Sequence, residues 1–191
     1  MAPTTLLNGL PGQFNENFIN TFGIPMATPK KHSAGLLLYR LVPAKKGTST
    51  IPEVFLVHPG GPYWKNKDAG SWTIPKGEIT EEEEALKAAI REFREETGAS
   101  LVGPFLPLSP VRQKGGKEIQ AWAVSGDLDP ATLVSNTFDM EWPPRSGKYQ
   151  SFPEVDRGEW FTIDAASTAI NPAQMALLEE LLVFLSKGQH P

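Results

Sequence analysis

Glu92, Glu95 and Glu96 are the residues of this chain whose type and spacing point most directly to chemistry. On a helix advancing 100° per residue they share one face, spanning about 100°. Three carboxylates so grouped repel one another, by a few tenths of a kcal/mol per exposed i,i+4 pair and by more when partly buried. A divalent cation reverses the sign of that interaction. An all-oxygen ligand set suits Mg²⁺ or Mn²⁺, which keep some waters and share phosphate oxygens with a substrate. A solvated acidic face is the plainer alternative, and periodicity alone does not separate the two.

The element that must carry these acids is well marked. A helix is expected over roughly Glu81 to Thr97, with Thr80 and Glu83 as a capping box and Gly98 as the C-terminal stop. Leu86, Ala89, Ile90, Phe93 and Thr97 form the stripe that faces a core. Ala85 and Ala88 share the acidic face and are small enough to admit a bulky neighbour. Glu81, Glu82 and Glu84 read as complements to the positive helix N-terminus. Arg91 stands beside Glu95 at i and i+4.

Around this helix, Gly35–Val42 (GLLLYRLV) and Glu53–His58 (EVFLVH) read as neighbouring buried strands. Further strands are expected at Leu101–Leu106, Glu118–Val124, Thr137–Trp142 and Gly158–Ile163. A last amphipathic helix is expected over about Pro172 to Ser186, with Pro172 in its first turn. Strands and helices mix without strict alternation, so the fold class is α+β, an α/β/α sandwich around a mixed sheet. Residues 1–32 are rich in Asn, Thr, Pro and Gly and read as a loosely ordered extension to a domain spanning 33–191.

The 191 residues carry 40% apolar and 21% charged side chains, ordinary for a globular domain. A net charge of −4 argues against stable nucleic-acid binding. The absence of cysteine excludes disulfides, zinc-thiolate sites and thiol nucleophiles and fits a cytoplasmic protein. No apolar run approaches the roughly 18 residues of a membrane span, and no secretory signal is visible.

The spacing sharpens the reading of the acids. Gly77, Glu83, Arg91, Glu92, Glu95, Glu96 and Gly98 stand in the order G-x5-E-x7-R-E-U-x-E-E-x-G-U, which resembles the full Nudix box. All seven fixed positions match, and only Ala99 is small for the last U position. By average residue frequencies a chance match is on the order of 10⁻⁷. The resemblance extends more weakly from about Ser33 to Ser186. It implies an α/β/α sandwich, one to three divalent metals on Glu92, Glu95 and Glu96, and the Gly77 carbonyl as a further ligand. It also implies that Arg91 orients a catalytic glutamate and that Glu83 is structural.

The segment FPEVDRGEWF is similar to the MutT-type late loop, which makes Glu154 a further metal ligand or the base, with Asp156 and Glu141 as alternatives. The implied reaction is attack of water on a phosphorus, with Glu92 or Glu154 taking its proton. Lys76 abuts Gly77 and is placed for a phosphate oxygen. In the stretch 141–149, Trp142 or Tyr149 can stack a base and Arg145 or Lys148 can hold phosphate. Trp64, Lys65 and Lys67 form a second candidate set. Trp72 reads as core and His58 as structural.

The W-x-x-P-K-G-E form is similar to dinucleoside and diphosphoinositol polyphosphate hydrolases. Markers of the ADP-ribose group are missing at Arg112–Gly115, as are the usual dinucleoside-polyphosphate Tyr and the NADH-type signature. The implied partner is a small phosphorylated nucleotide, an NTP or a dinucleoside polyphosphate. The competing class is a non-catalytic nucleotide sensor, against which stand the intact box glutamates. An isomerase of the same fold would need a cysteine. A chain shortened to start at Met26 is expected to melt and turn over like the full chain. Loss of both properties would show that the first 25 residues are needed.

Overall fold

The computed structural model describes residues 32–44 and 49–188. The extension expected over 1–32, His32 apart, and the start at Met26 lie outside the described residues. β1 (His32–Pro43) and β2 (Thr50–Pro59) are apolar runs buried on both faces, as central strands of a covered sheet must be. With β3 (Lys76–Glu78), β4 (Leu106–Arg112), β5 (Glu118–Ser125) and β8 (Val155–Thr162) they form one mixed sheet in the order β4-β5-β1-β2-β8, with β3 added against β1. The β1–β5 pairing is parallel and the other pairings are antiparallel. Two further strands, β6 (Thr137–Glu141) and β7 (Tyr149–Pro153), form a separate hairpin.

Alternation along β1 and β2 divides the core in two. Leu36, Leu38, Phe55 and Val57 meet Ala88, Ala89 and Phe93 of α1 (Ala85–Thr97) on one face. Leu37, Tyr39, Val54 and Leu56 meet Ala166 of α2 (Ile163–Ala169) and Leu177, Leu178 and Leu181 of α3 (Met175–Ser186) on the other. This is the expected α/β/α sandwich. Among the described residues no helix is long and apolar enough to cross a membrane.

Several elements differ from the sequence pattern. α1 begins at Ala85, four residues later than expected, and Glu84 occupies the N-cap without a side-chain cap. Thr80 and Glu83 do pair, at 2.9 Å, but ahead of the helix. Glu83 is instead held by two 2.9 Å hydrogen bonds from Arg91, and Glu82 takes a φ of 65°. A bidentate charge-assisted pair outweighs a neutral cap and bends the chain away from helical geometry. Glu81 and Glu82 therefore precede the helix, and its first turn contains no acid. At the other end Gly98 is the left-handed C-cap, its N–H donating to the Arg94 carbonyl.

The strand expected at Leu101–Leu106 begins instead at Leu106. Gly103-Pro104 precedes it, and Pro107 and Pro110 confine it to the sheet edge, where missing donors cost no ladder bond. The last helix splits into a 3₁₀ turn at Pro172–Gln174 and α3. The buried Gln174 side chain explains the break, because it accepts from Ile74 N–H at 3.0 Å and donates to Thr73 Oγ1 at 2.7 Å. β3, β7 and α2 are short elements with no counterpart in the sequence pattern.

The helix that carries the acids is anchored by Phe93, which is fully buried among sheet residues. Phe93→Ala should destabilise the protein by about 3–5 kcal/mol in urea unfolding. A loss below about 1 kcal/mol would mean that this ring does not anchor α1.

Candidate active site

The acids of α1 face the edge where β3 joins β1. β3 lies close because Gly35 of β1 lacks a side chain: a Cβ there would stand 2.6 Å from Pro75 O and from Lys76 Cβ. Gly77 is the centre of β3 and pairs with Ala34. A Cβ on Gly77 would overlap the Glu92 carboxylate, so only glycine allows this acid to lie against the strand. Glu96, 8% exposed, accepts a 2.9 Å hydrogen bond from the Lys76 N–H. Ala88 is fully buried, so the bulky neighbour expected beside it is the protein itself.

Arg91 organises this face. Its Nη1 donates to Glu92 Oε1 at 2.6 Å and to Glu95 Oε2 at 3.1 Å. Its Nε and Nη2 bind Glu83, and Nη2 also donates to the Glu78 carbonyl at 3.1 Å. Arg91 holds the Glu83 carboxyl down at about 2. The Glu92 side chain is only 12% exposed, and burial raises its carboxyl, with Glu95 and Glu154 adding to the effect. Burial pushes Glu96 up to about 7, against the charge of Lys76 and with the charges of Glu92 and Glu154.

Glu154 arrives from the sheet's far side, at the junction of β7 and β8. Its N–H donates to the Asn136 carbonyl at 2.8 Å, and Asn136 N–H donates to the Glu95 carbonyl at 3.1 Å. Its own carbonyl accepts from Gly60 at 2.9 Å. Asn136 and Gly60 thus place Glu154 beside α1, and nothing in the sequence patterning singles them out. The alternatives to Glu154 are engaged elsewhere. Asp156 is 2.7 Å from Nδ1 of the buried His58, and Glu141 accepts from Gly147 N–H at 2.6 Å in the hairpin connection. His58 also meets the Lys67 carbonyl at 2.6 Å, and Trp72 is buried in the core, so both are structural as expected.

Gly77, Glu92, Glu95, Glu96 and Glu154 therefore converge, with Lys76 and Arg91 beside them. Among the described residues no three acids stand together so as to hold a metal ion as they are placed, with Glu92 and Glu95 turned to Arg91 and Glu96 to the Lys76 amide. The donors are all oxygens, and burial together with mutual repulsion makes two of the carboxylates costly to ionise. Both features fit a hard divalent cation. An open groove of about 630 Å³, lined in part by Lys87, Arg91, Arg94 and Glu95, runs beside these acids on the outer side of α1.

The hairpin residues are divided. Glu141 pairs directly with Tyr149, so alternation puts Tyr149 on one face and Phe138, Met140, Trp142 and Phe152 on the other. Trp142 packs edge-to-face with Tyr63 at 5.3 Å, while Tyr149 is 74% exposed. Arg145 sits at the exposed tip with a φ of 63°.

The NUDIX domain family matches residues 42–181. No curated protein matches the chain. Among solved structures, the chain is similar to a C. elegans Ap4A hydrolase in a binary complex, with TM-score 0.56 and 20% identity over 81% of this chain and 98% of that one. It is also similar to a mutT/nudix family protein from Listeria innocua, with TM-score 0.56 and 17% identity over 85% and 98% of the two chains. A third likeness is to the NUDIX domain of Shewanella oneidensis NrtR complexed with ADP ribose, with TM-score 0.57 and 15% identity over 83% and 90%. The chain belongs to the NUDIX domain family, and with its glutamate box intact it is a pyrophosphohydrolase of nucleoside diphosphate derivatives.

The raised Glu96 carboxyl has a thermodynamic consequence. The folded, metal-free protein holds this proton more tightly than the unfolded chain does. The contribution of this carboxyl to stability is therefore full below pH 4.5 and is lost as pH rises through about 7. The melting temperature of metal-free protein should fall between pH 5 and 7.5, and Glu96→Gln should flatten that fall. A divalent cation bound by this carboxylate would compete with the proton, and should then raise the melting temperature more at pH 7.5 than at pH 5. Identical pH dependence in the native protein and the variant would refute this account.

Proposed function

We propose that the chain is a Mg²⁺- or Mn²⁺-dependent hydrolase that cleaves a phosphoanhydride bond of an NTP or a dinucleoside polyphosphate by attack of water on phosphorus. The observation that carries this reading is the Glu92 carboxylate lying against the bare backbone of Gly77, with Glu96 held by the neighbouring Lys76 amide and with the charges of Glu95 and Glu154 acting on them. These four carboxylates and the Gly77 carbonyl are the oxygens that would hold the ions. When bound, divalent ions neutralise phosphate oxygens and lower the pKa of water.

The protein's own groups do the rest. Arg91 keeps Glu92 and Glu95 on one side of α1 and is itself fixed by Glu83. Lys76, whose backbone is held by Glu96, offers its ammonium to a phosphate oxygen. Glu154 takes the proton of the attacking water, since its carboxylate is exposed and has no hydrogen-bond partner among the described residues, whereas Glu92 is bound to Arg91. Trp142 and Arg145 receive a nucleoside-bearing end at the hairpin tip, whereas Tyr149 lies on the hairpin's other face. The likeness to a C. elegans Ap4A hydrolase supports the choice of a dinucleoside polyphosphate as first substrate. We place the activity in the cytoplasm, on small nucleotides rather than nucleic acid.

Purified protein with Mg²⁺ or Mn²⁺ should hydrolyse such a substrate, with products resolved by ion exchange, and should be inert in EDTA. Glu154→Gln should lower kcat by about 10²–10⁴-fold. Glu96→Gln should remove the metal-dependent turnover. Tight nucleotide binding with no turnover across a panel of nucleotides would instead make the chain a sensor.

A further inference from the structure

The loop after β2 and the hairpin β6–β7 meet in an aromatic contact that the carboxylate chemistry does not use. Gly61, at a φ of 89°, lies against the hairpin, and a Cβ there would stand 3.3 Å from the Phe138 ring. This close approach carries Tyr63 up to Trp142, where the rings meet at 5.3 Å and 85°. Tyr63 nevertheless keeps 54% of its surface exposed. Trp64 follows, more than a third exposed, with the Lys67 ammonium 4.8 Å over its ring. Lys65, Arg145 and Lys148 are exposed in the same two segments and add positive charge to this rim.

This rim is continuous with the acids but distant from them. The hairpin's base is Asn136 and Glu154, where Glu154 N–H donates to the Asn136 carbonyl and Asn136 N–H donates to the Glu95 carbonyl. Trp142 stands six residues beyond Asn136, about 20 Å along the strand at a rise near 3.3 Å per residue. A base attached through one sugar to an attacked phosphate stays near the acids. A ring that reaches the rim must hang on a longer chain, and the exposed cations of these two segments suit an anionic one.

We propose that Tyr63 and Trp142 form a distal subsite that grips a second flat heteroaromatic ring, joined to the attacked phosphorus through a polyphosphate chain. The occupant is the far nucleoside of a dinucleoside polyphosphate. The subsite rests on the hydrolase reading and selects, within it, two-nucleoside over one-nucleoside substrates. Tyr63 is the specificity-determining residue, and the loop that presents it exists for reach rather than for chemistry.

The test is the ratio of kcat/KM for diadenosine tetraphosphate to that for ATP, in the native protein, Tyr63→Ala and Tyr63→Phe. Base–aromatic stacking of ordinary strength predicts that Tyr63→Ala lowers the ratio roughly ten- to a hundredfold, through KM, and that Tyr63→Phe restores it. An equal loss for both substrates would reduce Tyr63 to a prop for the hairpin and overturn the proposal, as would an unchanged ratio. Quenching of tryptophan fluorescence by diadenosine tetraphosphate in EDTA reads the subsite without turnover. If the native protein hydrolyses neither substrate but shows saturable quenching that Tyr63→Ala abolishes, the hydrolase reading fails and the subsite stands. If it hydrolyses both and Tyr63→Ala quenches like the native protein, the subsite fails and the hydrolase reading stands.

Discussion

The guanidinium of Arg91 is the interaction on which the rest of the site depends. It reaches Glu83 in the turn before α1, Glu92 and Glu95 on α1, and the backbone of Glu78 in β3. One planar group with five donors thus joins three pieces of chain that would otherwise bring like charges together. Its grip on Glu83 also sets where α1 begins. A lysine could not reproduce this, because a single ammonium has neither the fork geometry nor the reach to several carboxylates at once.

Arg91 can work only because α1 is held rigidly against the sheet. Ala88, Ala89 and Phe93 pack on Leu36, Leu38, Phe55 and Val57, and the two alanines let the helix approach the sheet closely. Gly35 and Gly77 extend the same logic to β3, since side chains at either would push strand and acids apart. The cost of gathering buried carboxylates is visible in the raised Glu92 and Glu96. It is tolerated because packing on both faces of the sheet supplies the stability, a common arrangement where a functional site opposes the fold.

Glu154 and the hairpin show a second kind of dependence. Two backbone hydrogen bonds through Asn136 place Glu154, with Gly60 closing the far side and the Ser135 hydroxyl accepting from the adjacent Val155 N–H. Distance from the acids is then set by strand length, and the division of Trp142 from Tyr149 is set by pleat alternation. The hairpin therefore acts as a ruler from the acids to its aromatic tip.

Much of this architecture is legible in the amino-acid sequence. Apolar runs buried on both faces, a helix ended by glycine, and a box of seven spaced residues carry the fold class, the family and the acid cluster, because each depends on local periodicity or on residue identity alone. What the chain does not disclose locally is decided by partners far away in sequence. Arg91 overrides the capping box, Gln174 breaks the last helix to satisfy Ile74 and Thr73, and prolines move β4 to an edge. Asn136, Gly60 and Tyr63 carry no pattern of their own; they matter through what folding sets beside them. Sequence by itself determined which residues can do chemistry, because residue type and spacing are local properties. Only tertiary structure decided which of them meet, because hydrogen bonds and burial between distant segments exist only once the sheet has formed.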